Sequence, residues 1–477
     1  MKTDVLVVGA GPAGLAAAVE LRRLGAGRVL VVDRDDEPGG APRHCHHTGF
    51  GLRDMRRFLS GPAYARHYVQ AAAAAGAEIW SAATVTGWDG LPPAGRRVPS
   101  PVLAEATLAD HEDLQLTTVL AGHDDAPLTG AAAATPIDPA PLVFTDPPPP
   151  ASLHRVSLHR VSLTSEAGVE TVEASAVLLA TGCRERPRSA RLVPGDRPPG
   201  VMTTGELQRR VYLQGQRLPG RALIVGAEHV SFSAMVTLAH AGSDVVALIT
   251  DQPKHSSYAL FAAVASRRWH VPVWTSTVVL QVIGRDRLEG VEVRDAATGL
   301  NRFVPCDTLV FTGSWVPDHE LARLAGLDTD PGTRGPVVDT ALETSAPMVF
   351  AAGNLVHAAG TADIAALGGR HAARQMAAAL GGLLPAPALR LPVTVTPPLM
   401  WIAPNAVRVP GPRPSRGRFL LRGDVFRRFA RAEVWQGERR VATSRPFGLK
   451  PNRPAHLGGN WVHHIDPGGG PITVRLR

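Results

Sequence analysis

The side chains most able to do chemistry in this chain are concentrated in residues 39–51, with the sequence GGAPRHCHHTGFG. His44, Cys45 and His46 are the catalytic candidates there, on position alone. A thiol–disulphide relay needs two sulfurs about 2 Å apart when oxidised, and this stretch offers one. Four adjacent residues cannot easily converge as metal ligands, so no metal site is predicted. Two interpretations stay open: a packed, unreactive thiol, or a histidine or Arg43 that steadies a bound cofactor or a substrate carboxylate.

A glycine-rich loop near the N-terminus is the strongest binding motif. An apolar strand, 5–8, runs into the loop, an alanine-rich helix follows, and a second strand, 29–32, ends at an aspartate. In this order the glycines allow a tight turn, close approach of a pyrophosphate to the helix N-terminus, and close helix packing, while the aspartate binds ribose hydroxyls. The residues predicted to hold a dinucleotide here are Gly9, Gly11, Pro12, Ala13, Gly14, Asp33 and Arg34.

Two further stretches end apolar strands with small residues. The stretch VEASAVLLATGCRERPR closes its strand with Ala180, Thr181 and Gly182. The stretch APMVFAAGNLVHAAGTADI closes its strand near Gly353 and Asn354, and a long helix is predicted to begin near Thr361. Each signal alone is weak, but their order along the chain is informative.

Together the three motifs resemble the two-dinucleotide-domain flavoproteins of the pyridine nucleotide-disulphide oxidoreductase superfamily, over about residues 1–384. The resemblance implies FAD as the cofactor. It places Gly40 and Arg43 beside the isoalloxazine ring and aims the helix that starts near Thr361 at the pyrimidine end of the flavin. Asn354 stands where the family has an acidic residue. Asp363 is expected to cap this helix, and His357 is a further candidate by position.

A second Rossmann-type unit lies between these motifs, in RALIVGAEHVSFSAMVTLAHAGSDVVALIT. Gly226 fits the first glycine position, but Glu228 occupies the second and Ser231 the third. A carboxylate opposes a pyrophosphate both sterically and electrostatically. The unit is therefore predicted to fold like a nicotinamide domain without using NAD(P)H, and weak NAD(P)H binding is kept as the alternative.

The predicted fold class is α/β, with two Rossmann-like domains and a small C-terminal β domain. The predicted boundaries are 1–200 for the first part of the FAD domain, 201–310 for the degenerate NAD(P)-like domain, 311–384 for the second FAD part and 385–477 for the β domain. A Pro- and Ala-rich insertion is predicted at about 88–152. The tandem SLHRVSLHRVSL that follows it is expected to be an edge strand.

Longer stretches resemble the FAD subunits of bacterial opine oxidases and hydroxyproline dehydrogenases; they include GGAPRHCHHTGFGLRDMRRFLSGPAYARHYV, ATGCRERPRSARLVPGDRPPGVMTTGELQ and VGAEHVSFSA. This resemblance implies oxidation of a small amino-acid-, opine- or hydroxy-acid-like substrate, with electrons passing through FAD to a partner or acceptor. An iron–sulfur protein and a second dehydrogenase subunit are the candidate partners. The alternatives are an NAD(P)H-dependent reductase of the ferredoxin-reductase type and a non-catalytic FAD electron relay.

Composition narrows the remaining classes. The net charge of +8 comes almost wholly from dispersed arginines without interleaved aromatic residues, so nucleic-acid binding is not predicted. Cys45, Cys183 and Cys306 lie far apart and cannot assemble an iron–sulfur site within this chain. Neither a long apolar run nor a signal peptide is recognised, which favours a cytoplasmic protein without an integral membrane segment.

Overall fold

The computed structural model describes residues 1–89, 158–257, 263, 270–358, 360–384 and 386–477. Nearly all of the predicted insertion and the first half of the tandem lie outside the described residues. The α-helices are α1 (Pro12–Arg23), α2 (Gly61–Ala74), α3 (Thr204–Gln208), α4 (His229–Ala241), α5 (Glu320–Leu324) and α6 (Ala362–Leu380). Shorter 3-10 or π segments are Ala41–His44, Ser189–Arg191, Arg209–Leu213, Gly353–Leu355, Ser415–Gly417 and Asn460–His463. In the part of the chain described, none of the helices has the length and apolarity needed to cross a membrane.

The first sheet brings the three predicted motifs to one edge. Its strand order is Glu78–Trp80, Val29–Val32, Lys2–Val8, Gly168–Leu179, His159–Ser165 and Thr84–Asp89, with Val349–Ala351 also paired to Gly168–Leu179. The strands that precede the motifs pair in parallel, so their carboxyl ends meet at the same edge. Their apolar runs are buried and pack in one core with residues of α1, α2 and α6.

The described half of the tandem does not form an edge strand, contrary to the prediction. Its second half belongs to His159–Ser165, which pairs antiparallel with Thr84–Asp89 on one side and with Gly168–Leu179 on the other. The alternating pattern buries His159, Val161 and Leu163 on one face, as expected for a half-buried strand. The strand Thr84–Asp89 takes the edge position instead.

The second sheet is fully parallel and has the predicted Rossmann-like layout. Its order is Val201–Thr203, Thr308–Phe311, Gly220–Val225, Ser243–Ile249 and Val273–Trp274. Helix α4 packs on one face, and the antiparallel strands Thr277–Ile283, Gly290–Asp295 and Asn301–Pro305 form a second layer. The antiparallel pair Cys183–Glu185 and Trp315–Pro317 marks the two connections between this sheet and the first one.

The C-terminal residues form the predicted β structure. One sheet has the order Ala406–Val409, Leu389–Val395, Ile472–Leu476, Ala432–Gln436 and Arg439–Thr443, and another has Leu399–Ala403, Arg418–Gly423 and Ala455–Gly458. Two short pairs complete the strands described: Arg427–Ala430 with Phe447–Leu449, and, near the N-terminus, Thr48–Phe50 with Leu59–Ser60. Apolar residues of the first two sheets, such as Phe419, Val434 and Ile472, form a separate core.

Candidate functional site

The first glycine loop is built as an open cradle. A Cβ on Gly14 would collide with the Gly9 carbonyl, and a Cβ on Gly9 would meet the Ala180 carbonyl at 2.5 Å, so both glycines are needed for backbone packing. Gly11 differs, because a Cβ there would have no atom within 4 Å. Gly11 therefore faces empty space, and its position lets a pyrophosphate approach the backbone.

The three motifs converge on the start of α1. Ala13, Ala180 and Ala365 form a small buried cluster that joins α1, the end of Gly168–Leu179 and the first turn of α6. Gly353 has a positive φ of 73°, and a Cβ on it would lie 2.7 Å from the Cβ of Ala13. These small side chains let the two helix starts approach closely, and no side chain among the described residues caps the start of α1. Its free N–H groups and partial positive charge favour an anion there.

The acidic residue after the second strand is held against the glycine loop. The Asp33 carboxylate accepts hydrogen bonds from the backbone N–H of Ala10 at 2.5 Å and of Asp35 at 2.9 Å. Burial is the main effect on this carboxyl and raises its pKa. Arg34 is mostly exposed and forms an ion pair with Asp318 at 3.1 Å. Thr181 donates its hydroxyl to the Asp318 carbonyl, which links the second motif to the same position.

The third motif uses its polar side chains to fix loops. Asn354 accepts a hydrogen bond from the Gly360 N–H at 2.9 Å and donates one to the Gly360 carbonyl at 3.1 Å, which closes the turn before α6. Thr361 occupies the N-cap position, so the prediction that Asp363 is the cap is wrong. The buried Asp363 carboxylate accepts instead from the backbone N–H groups of Gly51 and Arg53, at 3.2 and 3.0 Å. It thereby fastens the end of the 39–51 stretch to the start of α6.

The first half of the 39–51 stretch packs on the cradle. Gly39 donates its N–H to the Ala10 carbonyl at 2.8 Å, and a Cβ on Gly40 would lie 2.9 Å from the Gly11 Cα. Gly40 therefore lies beside the first glycine loop, and its place beside the isoalloxazine ring stays a prediction. The Arg43 guanidinium hydrogen-bonds to the Glu37 side chain and carbonyl, both at 2.7 Å, so it braces its own loop.

The three catalytic candidates contact the second Rossmann-like domain. His44 and the Cys45 thiol both lie 3.3 Å from the Gln208 side-chain oxygen, and the Gln208 amide donates to Ser233 at 2.9 Å. Burial raises the pKa of Cys45 to about 12. A thiol with this pKa is protonated at neutral pH and is a poor nucleophile. These contacts favour the first of the two interpretations for Cys45, a packed and unreactive thiol.

His46 makes the same kind of interdomain contact. Its imidazole stacks on the Tyr212 ring, with centroids 4.1 Å apart and planes within 3° of parallel. The Tyr212 hydroxyl in turn lies 2.8 Å from Nδ1 of His240, in the last turn of α4. His44 and His46 thus both contact the second Rossmann-like domain and help to join the two domains.

The second glycine loop is closed by its own glutamate. Glu228 accepts hydrogen bonds from the Thr312 hydroxyl at 2.6 Å and from the Ala227 N–H at 3.0 Å. Ser231 is buried and shares a 2.7 Å hydrogen bond with the same Thr312 hydroxyl. A carboxylate and two hydroxyls therefore fill the place that stays open at Gly11 in the first loop.

Some polar residues near this site had no clear signal in the sequence. Asp54 accepts hydrogen bonds from the hydroxyls of Tyr64 and Tyr68, both at 2.7 Å, and Arg370 on α6 donates to Tyr68 at 2.9 Å. Glu185 is buried, accepts from two backbone N–H groups, and has a pKa raised by burial. The spacing of the two tyrosines, one helical turn apart, is the one hint that they share a face.

A half-buried histidine beside α6, with a buried Nδ1, predicts a specific acid sensitivity. Burial lowers the pKa of His357 to about 4 from its ordinary 6.5, and its buried Nδ1 has no hydrogen-bond partner among the described residues. Because the unfolded chain takes up this proton and the native state does not, its stabilising contribution is complete above pH 6.5 and is lost as the pH falls toward 4. In His357→Leu the free energy of unfolding, measured by urea unfolding, is expected to fall less between these pH values than in the parent chain, by up to about 3 kcal/mol.

The control for this prediction is His464→Leu, at an exposed histidine. It is expected to leave the dependence of the urea midpoint on pH as in the parent chain. Identical pH dependence for the parent and for His357→Leu would contradict the assignment.

Comparisons with known proteins agree with this arrangement. Residues 153–377 match the family described as pyridine nucleotide-disulphide oxidoreductase, and residues 7–72 match an NAD(P)-binding Rossmann-like domain. An opine oxidase subunit of Agrobacterium tumefaciens (strain Ach5) is 27% identical over 390 residues, which cover 78% of this chain and 64% of that protein. The alpha subunit of sarcosine oxidase from Corynebacterium sp. (strain P-1) is 29% identical over 378 residues, which cover 74% of this chain and 33% of that protein.

Among solved structures, thioredoxin reductase of T. acidophilum matches with a TM-score of 0.55 and 17% identity over 79% of this chain and 98% of that one. This likeness shows the fold. The chain thus carries a pyridine nucleotide-disulphide oxidoreductase domain and an NAD(P)-binding Rossmann-like domain. It spans less than two thirds of the length of the curated relatives named above.

The first cradle fits FAD. Gly11 leaves room for a pyrophosphate, the start of α1 offers backbone N–H donors, and Asp33 supplies a carboxylate at the ribose position. FAD, when bound, supplies the two-electron redox chemistry, and the protein supplies position and electrostatics. The second cradle does not fit a dinucleotide in the same way, because Glu228 fills it.

Proposed function

We propose that this chain is an FAD-carrying dehydrogenase or oxidase subunit that oxidises a small amino-acid-, opine- or hydroxy-acid-like substrate. Electrons would leave through a partner or another acceptor, with an iron–sulfur protein and a second dehydrogenase subunit as the candidate partners. The names of the opine and sarcosine oxidase subunits support this substrate class.

The observation that carries the proposal is the difference between the two glycine loops. The first is open at Gly11, whereas Glu228 in the second accepts from Thr312 and Ala227. A nicotinamide dinucleotide would have to bring its negative pyrophosphate against this carboxylate. An organic substrate that delivers electrons directly to the flavin does not need the second loop. The 39–51 stretch holds a single thiol, Cys45, whose pKa burial raises, and this argues against a disulphide route as well.

The remaining residues act on the flavin site by position and charge. The first-turn N–H groups of α6 would stabilise negative charge at the pyrimidine edge of the flavin, because a helix N-terminus carries partial positive charge. Asp363 would keep this helix start closed against solvent, since it ties residues 51 and 53 to α6. His44 and His46 would set the orientation of the second domain rather than transfer protons.

The test is an anaerobic visible spectrum of the FAD-loaded protein before and after NADH, NADPH, and then sarcosine, hydroxyproline and an opine. The flavin is expected to resist both nicotinamides and to be bleached by a member of the second group in the presence of its partner protein. Rapid bleaching by NADH or NADPH would establish the nicotinamide-driven reductase instead. Reduction only by an already reduced partner protein would establish the electron relay.

Glu228→Gly tests why the nicotinamides fail. Removing the carboxylate is expected to raise NADH affinity by roughly 10- to 100-fold, since it removes a charge repulsion and opens the loop. Glu228→Gln keeps the size and removes the charge, so a smaller gain is expected. NADH affinity is measured by fluorescence titration, with Glu166→Gly at an exposed turn as the control. Unchanged affinity in Glu228→Gly would show that the glutamate is not the obstacle.

A further inference from the structure

A large cavity lies between the second parallel sheet and the C-terminal β domain. Its volume is about 580 Å³, within the range of metabolite-binding pockets. Strand ends at Val225, Ile249 and Phe311 form one wall, and Trp401 and Arg422 of the β domain form part of the opposite wall. The β domain thus covers the carboxyl edge of the sheet, the edge at which open α/β sheets bind ligands.

Positive side chains outnumber negative ones in this cavity. Its wall carries three carboxylates, at Glu228, Asp251 and Asp424, against four guanidinium groups. Glu228 already accepts from Thr312 and Ala227, so part of its hydrogen-bonding capacity is used. The guanidinium groups belong to Arg186, Arg191, Arg334 and Arg422.

Arg191 is held in place without a carboxylate. Its Nη2 donates to the carbonyls of Thr312 and Gly313, at 2.9 and 2.8 Å, and its Nε donates to the Arg186 carbonyl at 2.8 Å. Among the described residues no carboxylate lies within ion-pair distance of it. Burial lowers its pKa, although Glu228 and Glu185 act in the opposite direction. Three backbone carbonyls thus orient a guanidinium whose Nη1 donors are left for a ligand.

Arg422 reaches the cavity from the C-terminal domain in a similar state. It donates to the Asn452 side-chain oxygen, and within the described part of the chain its buried Nε has no hydrogen-bond partner. It forms no ion pair with a described carboxylate. A partly buried guanidinium without a paired anion is costly, and a bound carboxylate would offset that cost with charge-assisted hydrogen bonds.

We infer that this cavity is a binding site for a small organic carboxylate, which would bind the guanidinium groups of Arg191, in the connection that leads to the second parallel sheet, and of Arg422, in the C-terminal domain. The glutamate-filled loop excludes a pyrophosphate from the same wall, so a compact acid fits better than a dinucleotide. The apolar side chains of Trp401, Phe311 and Val225 would contact the carbon skeleton of the acid. The site does not require FAD, and the inference is independent of the proposed function.

The test is isothermal titration of the full chain, with and without FAD, using succinate and pyruvate as carboxylate probes. Tryptophan fluorescence gives a second readout, because Trp315 and Trp401 line the cavity. Saturable binding of at least one acid is expected in both forms. Arg422→Met and Arg191→Lys are each expected to weaken it by roughly 10-fold or more. Lysine keeps the charge at position 191 but not the planar pair of donors.

The matched control is Arg323→Met, at an exposed arginine outside the cavity, which is expected to bind the acids like the parent chain. Inorganic phosphate, AMP and NADH are titrated in parallel. Absence of carboxylate binding at millimolar concentration, equal weakening in the control, or tighter binding of phosphate or either nucleotide would overturn the inference. Loss of binding in the two cavity variants with circular dichroism unchanged would support it.

Discussion

Replacing Gly11 with valine is expected to abolish FAD binding while the chain still folds. A Cβ at this position would meet no protein atom within 4 Å, so the side chain is expected to enter the space of the pyrophosphate rather than the packed interior. The backbone of Gly11, at φ −80° and ψ −175°, is extended, and valine adopts this conformation without strain. FAD affinity is expected to fall by roughly 100-fold or more, which corresponds to about 3 kcal/mol. The measurement is a titration of the flavin-free protein followed by flavin fluorescence.

Two matched variants separate the cradle from the fold. Gly458→Val places the same side chain in open space on the C-terminal domain and is expected to leave FAD binding unchanged. Gly14→Val is expected to unfold the first domain, because its side chain would collide with the Gly9 carbonyl. The cradle assignment would be wrong if Gly11→Val bound FAD as tightly as Gly458→Val does.

The sequence predicts this cradle well because its determinants are local. Glycine positions, the apolar strand 5–8 and the aspartate after the second strand all lie within one strand–loop–helix–strand unit, so spacing alone defines their geometry. The same holds for Glu228, whose place in the second glycine pattern predicts a closed loop. In the structure, hydrogen bonds from Thr312 and Ala227 to the Glu228 carboxylate close this loop.

The partners that individual polar side chains select could not be predicted. The family pattern puts position 354 near the cofactor, but Asn354 closes a turn onto Gly360, and Asp363 binds residues 51 and 53 rather than capping α6. Composition and periodicity carry no information about which of several nearby backbone groups an amide or a carboxylate selects. The cavity is a stronger example, because its walls come from sheets whose mutual packing no local pattern encodes.

The 39–51 stretch illustrates how residue type and role can separate. A cysteine flanked by histidines has the composition of a reactive site, yet Gln208 and Tyr212 contact these side chains across a domain boundary. Burial also raises the pKa of the thiol to about 12, which favours the interpretation of Cys45 as unreactive. The stretch does run beside the glycine cradle, through Gly39 and Gly40.

Replacing Arg408 with methionine is expected to give the largest loss of stability among single side-chain changes in the C-terminal domain. Arg408 is 2% exposed and forms ion pairs with Asp339 at 3.0 Å and Glu343 at 2.5 Å, both in the chain segment that precedes α6. Arg390 pairs with the same two carboxylates, at 3.1 and 2.8 Å. Removing one arginine leaves two buried carboxylates to share one cation, and such a change costs roughly 3–5 kcal/mol.

The loss of stability in Arg408→Met is expected to be large because its ion pairs are buried. An exposed arginine–glutamate pair tests this dependence on burial. Arg440 is half exposed and pairs with Glu433 at 3.2 Å, so Arg440→Met is expected to cost less than about 1 kcal/mol. Urea unfolding followed by circular dichroism measures both variants. Adding Glu343→Gln to Arg408→Met removes the uncompensated charge and is expected to recover part of the stability, because the effects of coupled neighbours do not add. Equal losses for the two arginine variants would show that the buried cluster does not fasten the β domain to the rest of the chain.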